Sequence, residues 1–66
     1  MTARAPREWR VLDEKADLDN RRERLLDFCG SPTFHGLPES DQILLLRQGV
    51  AMRTYSEILG ERIAKF

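Results

Sequence analysis

An all-α fold is what the sequence predicts: an antiparallel hairpin of two helices that assembles with further copies of itself into a four-helix bundle or a larger symmetric homo-oligomer. Three observations carry the prediction. Two stretches of strong helix formers are separated by a single segment, Gly30 to Pro38, that holds two of the three prolines. Each stretch has an apolar stripe at helical spacing, and the second stretch has one stripe too many for a lone hairpin.

The first helix is expected over residues 6–29. Pro6 suits a first helical turn, and Gly30 follows the last periodic residue, where a helix commonly stops. On a helical wheel centred on Leu18, Val11, Leu25 and Cys29 fall within about 20 degrees, with Leu26 and Phe28 on the flanks. Acidic Asp13, Glu14, Asp17 and Asp19 precede Arg21, Arg22 and Arg24, and Asp17 to Arg21 has the favourable i, i+4 order. Residues 30–37 form the loop. Within it, Ser31-Pro32-Thr33-Phe34 reads as a capped single turn, with Phe34 and Leu37 as plugs over the end of the hairpin.

The second helix is expected over residues 38–65, opening on Pro38 with Glu39 and Asp41 in the first turn, as the helix dipole prefers. Leu45, Gln48, Met52, Tyr55, Leu59, Arg62 and Phe66 follow alternating spacings of three and four, a heptad seam that Leu44, Ala51, Ile58 and Ile63 widen. Folding the helices together sets Leu25 near Leu45, Leu18 near Met52 and Val11 near Leu59. The same pairing sets Arg22 opposite Gln48 and Lys15 opposite Tyr55, two polar layers that fix register. Ile43, Leu46 and Val50 lie away from this seam. They are assigned to an interface with another copy of the chain; the competing assignment packs them under the Phe34 loop.

Size argues the same way. A single domain over residues 1–66 buries only about 60% of the surface its unfolded chain exposes. Ordering each residue costs roughly 1.5 kcal/mol, which a two-helix contact rarely offsets without a disulfide, a metal or self-association. Cys29 is the only cysteine and His35 the only histidine. An intramolecular disulfide is therefore impossible, and one chain cannot assemble a Cys/His zinc site. Self-association is left, and no metal or cofactor is expected.

Eleven basic and eleven acidic residues cancel. No long-range field draws the chain to DNA, RNA or anionic lipid, and a helix-turn-helix reader is disfavoured further by the long loop. No run spans a bilayer, and the amino end has Arg4, Pro6 and Arg7 where a secretory signal would have its apolar region, so a cytoplasmic setting is expected. An enzyme is not expected. Cys29 falls on the core stripe near the carboxyl end of its helix, where an inert buried thiol is expected, and His35 sits in the loop as a capping or solvated group. The pairs Asp13 with Asp17 and Glu57 with Glu61 are solvated faces.

What remains is binding. Nine of the eleven basic residues are arginine, the residue suited to bidentate contacts with carboxylate or phosphate. Arg21, Arg24, Arg47 and Arg53, with Arg22 beside them, are the candidates for converging on an anionic small molecule at a junction between chains. Salt bridges within and between helices are their structural alternative. Trp9, nearly opposite Leu18, and Tyr55 are candidate stacking surfaces, and Trp9 could equally anchor a protein partner.

Asp13-Glu14-Lys15 with Leu18, followed by Leu44, Leu45, Gln48, Met52, Tyr55, Leu59, Arg62 and Ile63, resembles a family of short helical proteins encoded by tailed phages and prophages, with relatives in crAss-like phages. The resemblance covers about Glu8 to Phe66; the Arg-rich, Trp-bearing amino end and the mid-helix Gly49 fall outside its pattern. It implies a phage or prophage origin and a helical hairpin, and no particular activity. Three roles then compete: a sponge that sequesters a cyclic-nucleotide immune signal in the host cytoplasm, an inhibitor that blocks a host protein, and a minor structural or assembly component of a phage.

Overall fold

The computed structural model describes residues 4–66, so residues 1–3 of the expected domain lie outside the described residues. Helix α1 runs Pro6–Cys29. Its first turn lacks a side-chain cap because Ala5 has no acceptor. Glu8 supplies the other half of a capping box, its Oε1 accepting the Ala5 N–H at 2.9 Å. At the far end the Gly30 N–H donates to the Asp27 carbonyl, and Gly30 keeps a right-handed backbone, φ −89°.

The segment expected as loop contains a helix of its own, α2, Pro32–His35. Ser31 builds it. Its Oγ accepts the Phe34 N–H at 3.3 Å and donates to the Phe28 carbonyl at 2.6 Å, so one hydroxyl caps α2 and ties it to the last turn of α1. Phe34 is thereby turned inward and buried, edge-on to Phe28 with ring centroids 6.2 Å apart. Gln42 closes the segment from the other side, donating from Nε2 to the Leu37 carbonyl at 2.9 Å and the His35 carbonyl at 3.3 Å.

Helix α3 spans Glu39–Ile63, with Glu39 and Asp41 in its first turn. It begins one residue after Pro38, whose carbonyl accepts the Asp41 and Gln42 N–H groups. It stops two residues short of Lys65. α1 and α3 pack along their lengths as a helical hairpin, and no strand occurs among the described residues.

Burial identifies the seam. On α1 the shielded positions include the series Glu8, Val11, Lys15, Leu18, Arg22, Leu25 and Cys29, flanked by Leu12 and Asp19; on α3 they include Gln42, Leu45, Gly49, Met52, Ser56, Leu59 and Ile63, flanked by Gly60. Both series advance by three and four alternately, as a heptad contact requires. Val11, Leu18 and Leu59 form the core, with Met52 and Ile63 against it, and Leu59 is completely buried.

The seam therefore differs from the expected one at four of its seven positions. Leu45, Met52 and Leu59 are in it, but Gln48, Tyr55, Arg62 and Phe66 are exposed, and Gly49, Ser56 and Ile63 take the interleaved places. Leu44, Ala51 and Ile58, expected to widen the seam, are exposed as well. The physical reason is steric. Long Lys15 and Arg22 occupy interleaved places on α1, and small residues on α3 leave room for the Lys15 stem, whose Cε lies 3.5 Å from where a Gly60 Cβ would be. Two polar layers do exist, but around Ser56 and Gly49 instead of Tyr55 and Gln48.

Candidate functional site

The upper polar layer is a closed network. Lys15 Nζ donates to Asp19 Oδ2 at 2.8 Å and to Ser56 Oγ at 3.1 Å, while the Ser56 hydroxyl donates to Asp19 Oδ1. The Lys15 hydrogen bond, then that from Ser56, holds the Asp19 carboxyl below its ordinary 3.8, with the charges of Lys15 and Arg22 acting in the same direction. A serine, a lysine and a carboxylate together could suggest hydrolytic chemistry. Ser56 is buried between the helices, its proton is committed to Asp19, and none of the clefts described below is lined by it. Joining the two helices across the seam is what this arrangement does.

The second layer opens to the surface. Arg22, Leu25, Leu26 and Cys29 of α1 face Leu45, Leu46, Gly49, Val50 and Arg53 of α3 across a groove of about 230 Å³. Gly49 forms its floor, where a Cβ would sit 3.7 Å from Leu25 Cδ2 and 3.9 Å from Leu26 Cδ2. Arg22 has its Nε buried and without a hydrogen-bond partner among the described residues, which costs free energy for a charged group. Arg53 stands at the rim, paired with Glu57 at 3.1 Å and largely exposed. The groove is thus apolar on its walls and cationic at one side.

Ile43, Leu46, Arg47 and Val50 border an adjoining shallow depression of about 360 Å³. Ile43 is 49% exposed, Leu46 50% and Val50 65%, so they do not pack under the Phe34 loop. The arginines expected to converge do so only in part. Arg53 shares the groove with Arg22, and Arg47 edges the apolar depression beside it. Arg21 and Arg24 are exposed on α1 and line none of these clefts. Trp9 and Tyr55 are also exposed, and neither lines the groove.

A family profile described as Sequestin matches residues 5–65, which takes in α1, α2, α3 and every groove residue. The chain belongs to the Sequestin family. No curated protein and no solved structure matches it. The Sequestin name is consistent with a sequestering protein, one that binds a partner and does not transform it. No helix among the described residues of this Sequestin is long and apolar enough to cross a membrane.

Arg22 is the groove residue that sequence reasoning undervalued, because its place on the wheel made it a register layer. The signal was present in the spacing. A position seven after Lys15 and three before Leu25 lies on the seam itself, while Arg21 and Arg24 flank it.

Proposed function

We propose that this Sequestin is a phage-type accessory protein that acts in the host cytoplasm as a homo-oligomer and sequesters an anionic small molecule, a cyclic-nucleotide immune signal being the leading candidate. The observation that carries the reading is Arg22: a guanidinium with a buried, unsatisfied Nε, in an apolar-walled groove with Arg53 at its rim. A phosphodiester is suited to that setting. Its oxygens accept paired N–H donors in a fork geometry, and the bases that flank it take apolar walls.

Self-association is supported by what the hairpin leaves uncovered. A compact monomer of 7.7 kDa exposes about 4,300 Å², whereas this chain exposes 5319 Å². Ile43, Leu46 and Val50 are the proposed interface, and Leu46 and Val50 also line the groove, so a second copy seated there would deepen it and exclude water from the arginines. Desolvation of that kind strengthens each charge-assisted contact.

Calorimetric titration of the purified protein with a panel of cyclic di- and trinucleotides is the test. One member is expected to bind at micromolar concentration or below, roughly −8 kcal/mol, and Arg22→Gln is expected to weaken it by about tenfold or more. Absence of heat with every member overturns the reading. Trp9, 54% exposed at the start of α1, favours the inhibitor of a host protein as the second reading. A host protein co-purifying with the wild type but not with Trp9→Ala would establish it.

A further inference from the structure

At the end of the rod away from α2, the antiparallel packing sets the first turn of α1 beside the last turn of α3. Arg7, Glu8, Val11, Arg62, Lys65 and Phe66 line a cleft of about 390 Å³ there. Buried Val11 contributes to its lining, and the half-exposed Phe66 ring offers an aromatic face. Arg4 adds a fourth cation, its guanidinium carbon 5.9 Å from the centre of the Phe66 ring.

Cationic side chains outnumber acidic ones in this cleft, Arg7, Arg62 and Lys65 against Glu8. Glu8 is the one carboxylate side chain lining the cleft, and its Oε1 is turned to the Ala5 N–H. The ion pairs among the described residues are Lys15 with Asp19 and Arg53 with Glu57, so neither Arg4 nor any of the three cations lining the cleft has one. Arg62 and Lys65 suit the negative end of α3. Arg7 does not suit its own helix: it stands in the first turn of α1, where the helix dipole already places positive charge and favours acidic residues. Helix stability thus gives no reason for an arginine there, whereas an anion between Arg7 and Arg62 would.

We infer that this end cleft is a second anion site, distinct from the Arg22 groove, which takes an organic phosphate of mononucleotide size, with the phosphate between Arg7, Arg62 and Lys65 and the planar ring on Phe66. The inference rests on the reading that the chain captures anionic small molecules, and adds a site to it. Volume limits the ligand. A cleft of 390 Å³ is at the small end of ligand pockets, which run from roughly 300 to 1,000 Å³, and accommodates one nucleotide unit and not a polymer. The arginines supply forked donors to phosphate oxygens, and stacking on a phenyl ring is tolerant of which base is presented.

The experiment is an amide-shift titration of the isotope-labelled protein with adenosine 5′-monophosphate, inorganic phosphate and adenosine, on the wild type and two double variants, Arg7→Gln/Arg62→Gln and Arg22→Gln/Arg53→Gln. Circular dichroism confirms that each variant is folded. The nucleotide is expected to shift Arg7, Val11 and Phe66, to bind more tightly than either fragment, and to lose about tenfold or more in affinity in the first double variant but not in the second. Phe66→Ala is expected to bring the nucleotide down to the affinity of inorganic phosphate. Nucleotide binding lost only in the second double variant overturns the end site and leaves the groove reading standing. No shift with the nucleotide overturns the end site, and the cyclic-nucleotide panel then judges the groove by itself. Phosphate binding as tight as the nucleotide overturns the role given to Phe66.

Discussion

α1 and α3 are nearly equal in length, 24 and 25 residues, and carry matching heptad series, yet their outer surfaces have opposite character. Away from the seam α1 shows Asp13, Glu14, Asp17, Arg21, Glu23 and Arg24 to solvent, with Trp9, Leu26 and Phe28 its exposed large apolar residues, whereas α3 shows Ile43, Leu44, Leu46, Val50, Tyr55 and Ile58 among Arg47, Arg53, Glu57 and Glu61. The exposed apolar residues of α3 fall on two further rows, Ile43-Leu46-Val50 and Leu44-Ala51-Tyr55-Ile58. The hairpin covers one row of three. A helix with apolar rows beyond its packed seam has surface left to bury, while one that is charged on its outer side suits a boundary. That difference is the ground on which we propose self-association, with α1 as the outer helix and α3 as the inner one.

Substitutions can break this comparison, and the largest effect is expected in the shared core. Leu59→Ala removes the one completely buried side chain. It should cost about 2–5 kcal/mol in chemical denaturation, enough to unfold most of a 66-residue chain. Arg21→Ala on the outer side of α1 should stay within about 0.5 kcal/mol. Equal effects would mean that burial in the hairpin does not set stability. Next comes the outer face of α3. Leu46→Glu should dissociate the assembly, since burying an unpaired carboxylate costs several kcal/mol, whereas Glu23→Lys on α1 should leave its sedimentation unchanged.

A smaller effect is expected from the network that joins the helices. Asp19 has a lowered pKa when folded, so its contribution to stability is present above its unfolded value near 3.8 and is lost as pH falls through the lowered folded value. Asp19→Asn should therefore flatten the melting temperature against pH across that acidic window. Asp19 is 43% exposed at its side chain, and solvent screening keeps the effect modest. An unchanged acid profile would show that the Lys15–Asp19–Ser56 contacts are not formed in solution. The smallest change is a gain. A Cβ at Gly49 meets only ordinary contacts, so Gly49→Ala should stabilise α3 by about 0.5–1 kcal/mol in a denaturant titration, and destabilisation would mean that α1 lies closer than described.

The helices and the Ser31 cap were legible in the sequence because prolines, glycines and a serine mark them locally. Half of the α3 seam was legible for a similar reason: Leu45, Met52 and Leu59 are large, apolar and seven residues apart. The other half was misread through size. Tyr55 outweighs Ser56 on any hydrophobic wheel, and Gln48 stands beside a glycine that gives no signal at all. What places Ser56 and Gly49 in the seam is the other helix, whose Lys15 reaches Ser56 and whose Leu25 and Leu26 lie over Gly49, and that information is relational. The groove was misread likewise. Arg21, Arg24, Arg47 and Arg53 were visible as a cluster in the chain, but which guanidinium is shielded depends on the register, and the register brings Arg22 inward.

The claim that joins these observations is that α3 is covered by further copies of the chain, and native mass spectrometry at micromolar concentration tests it most directly. The account predicts particles at a defined multiple of 7.7 kDa, shifted to a single chain by Leu46→Glu. A folded, heat-stable wild-type species at 7.7 kDa would contradict it.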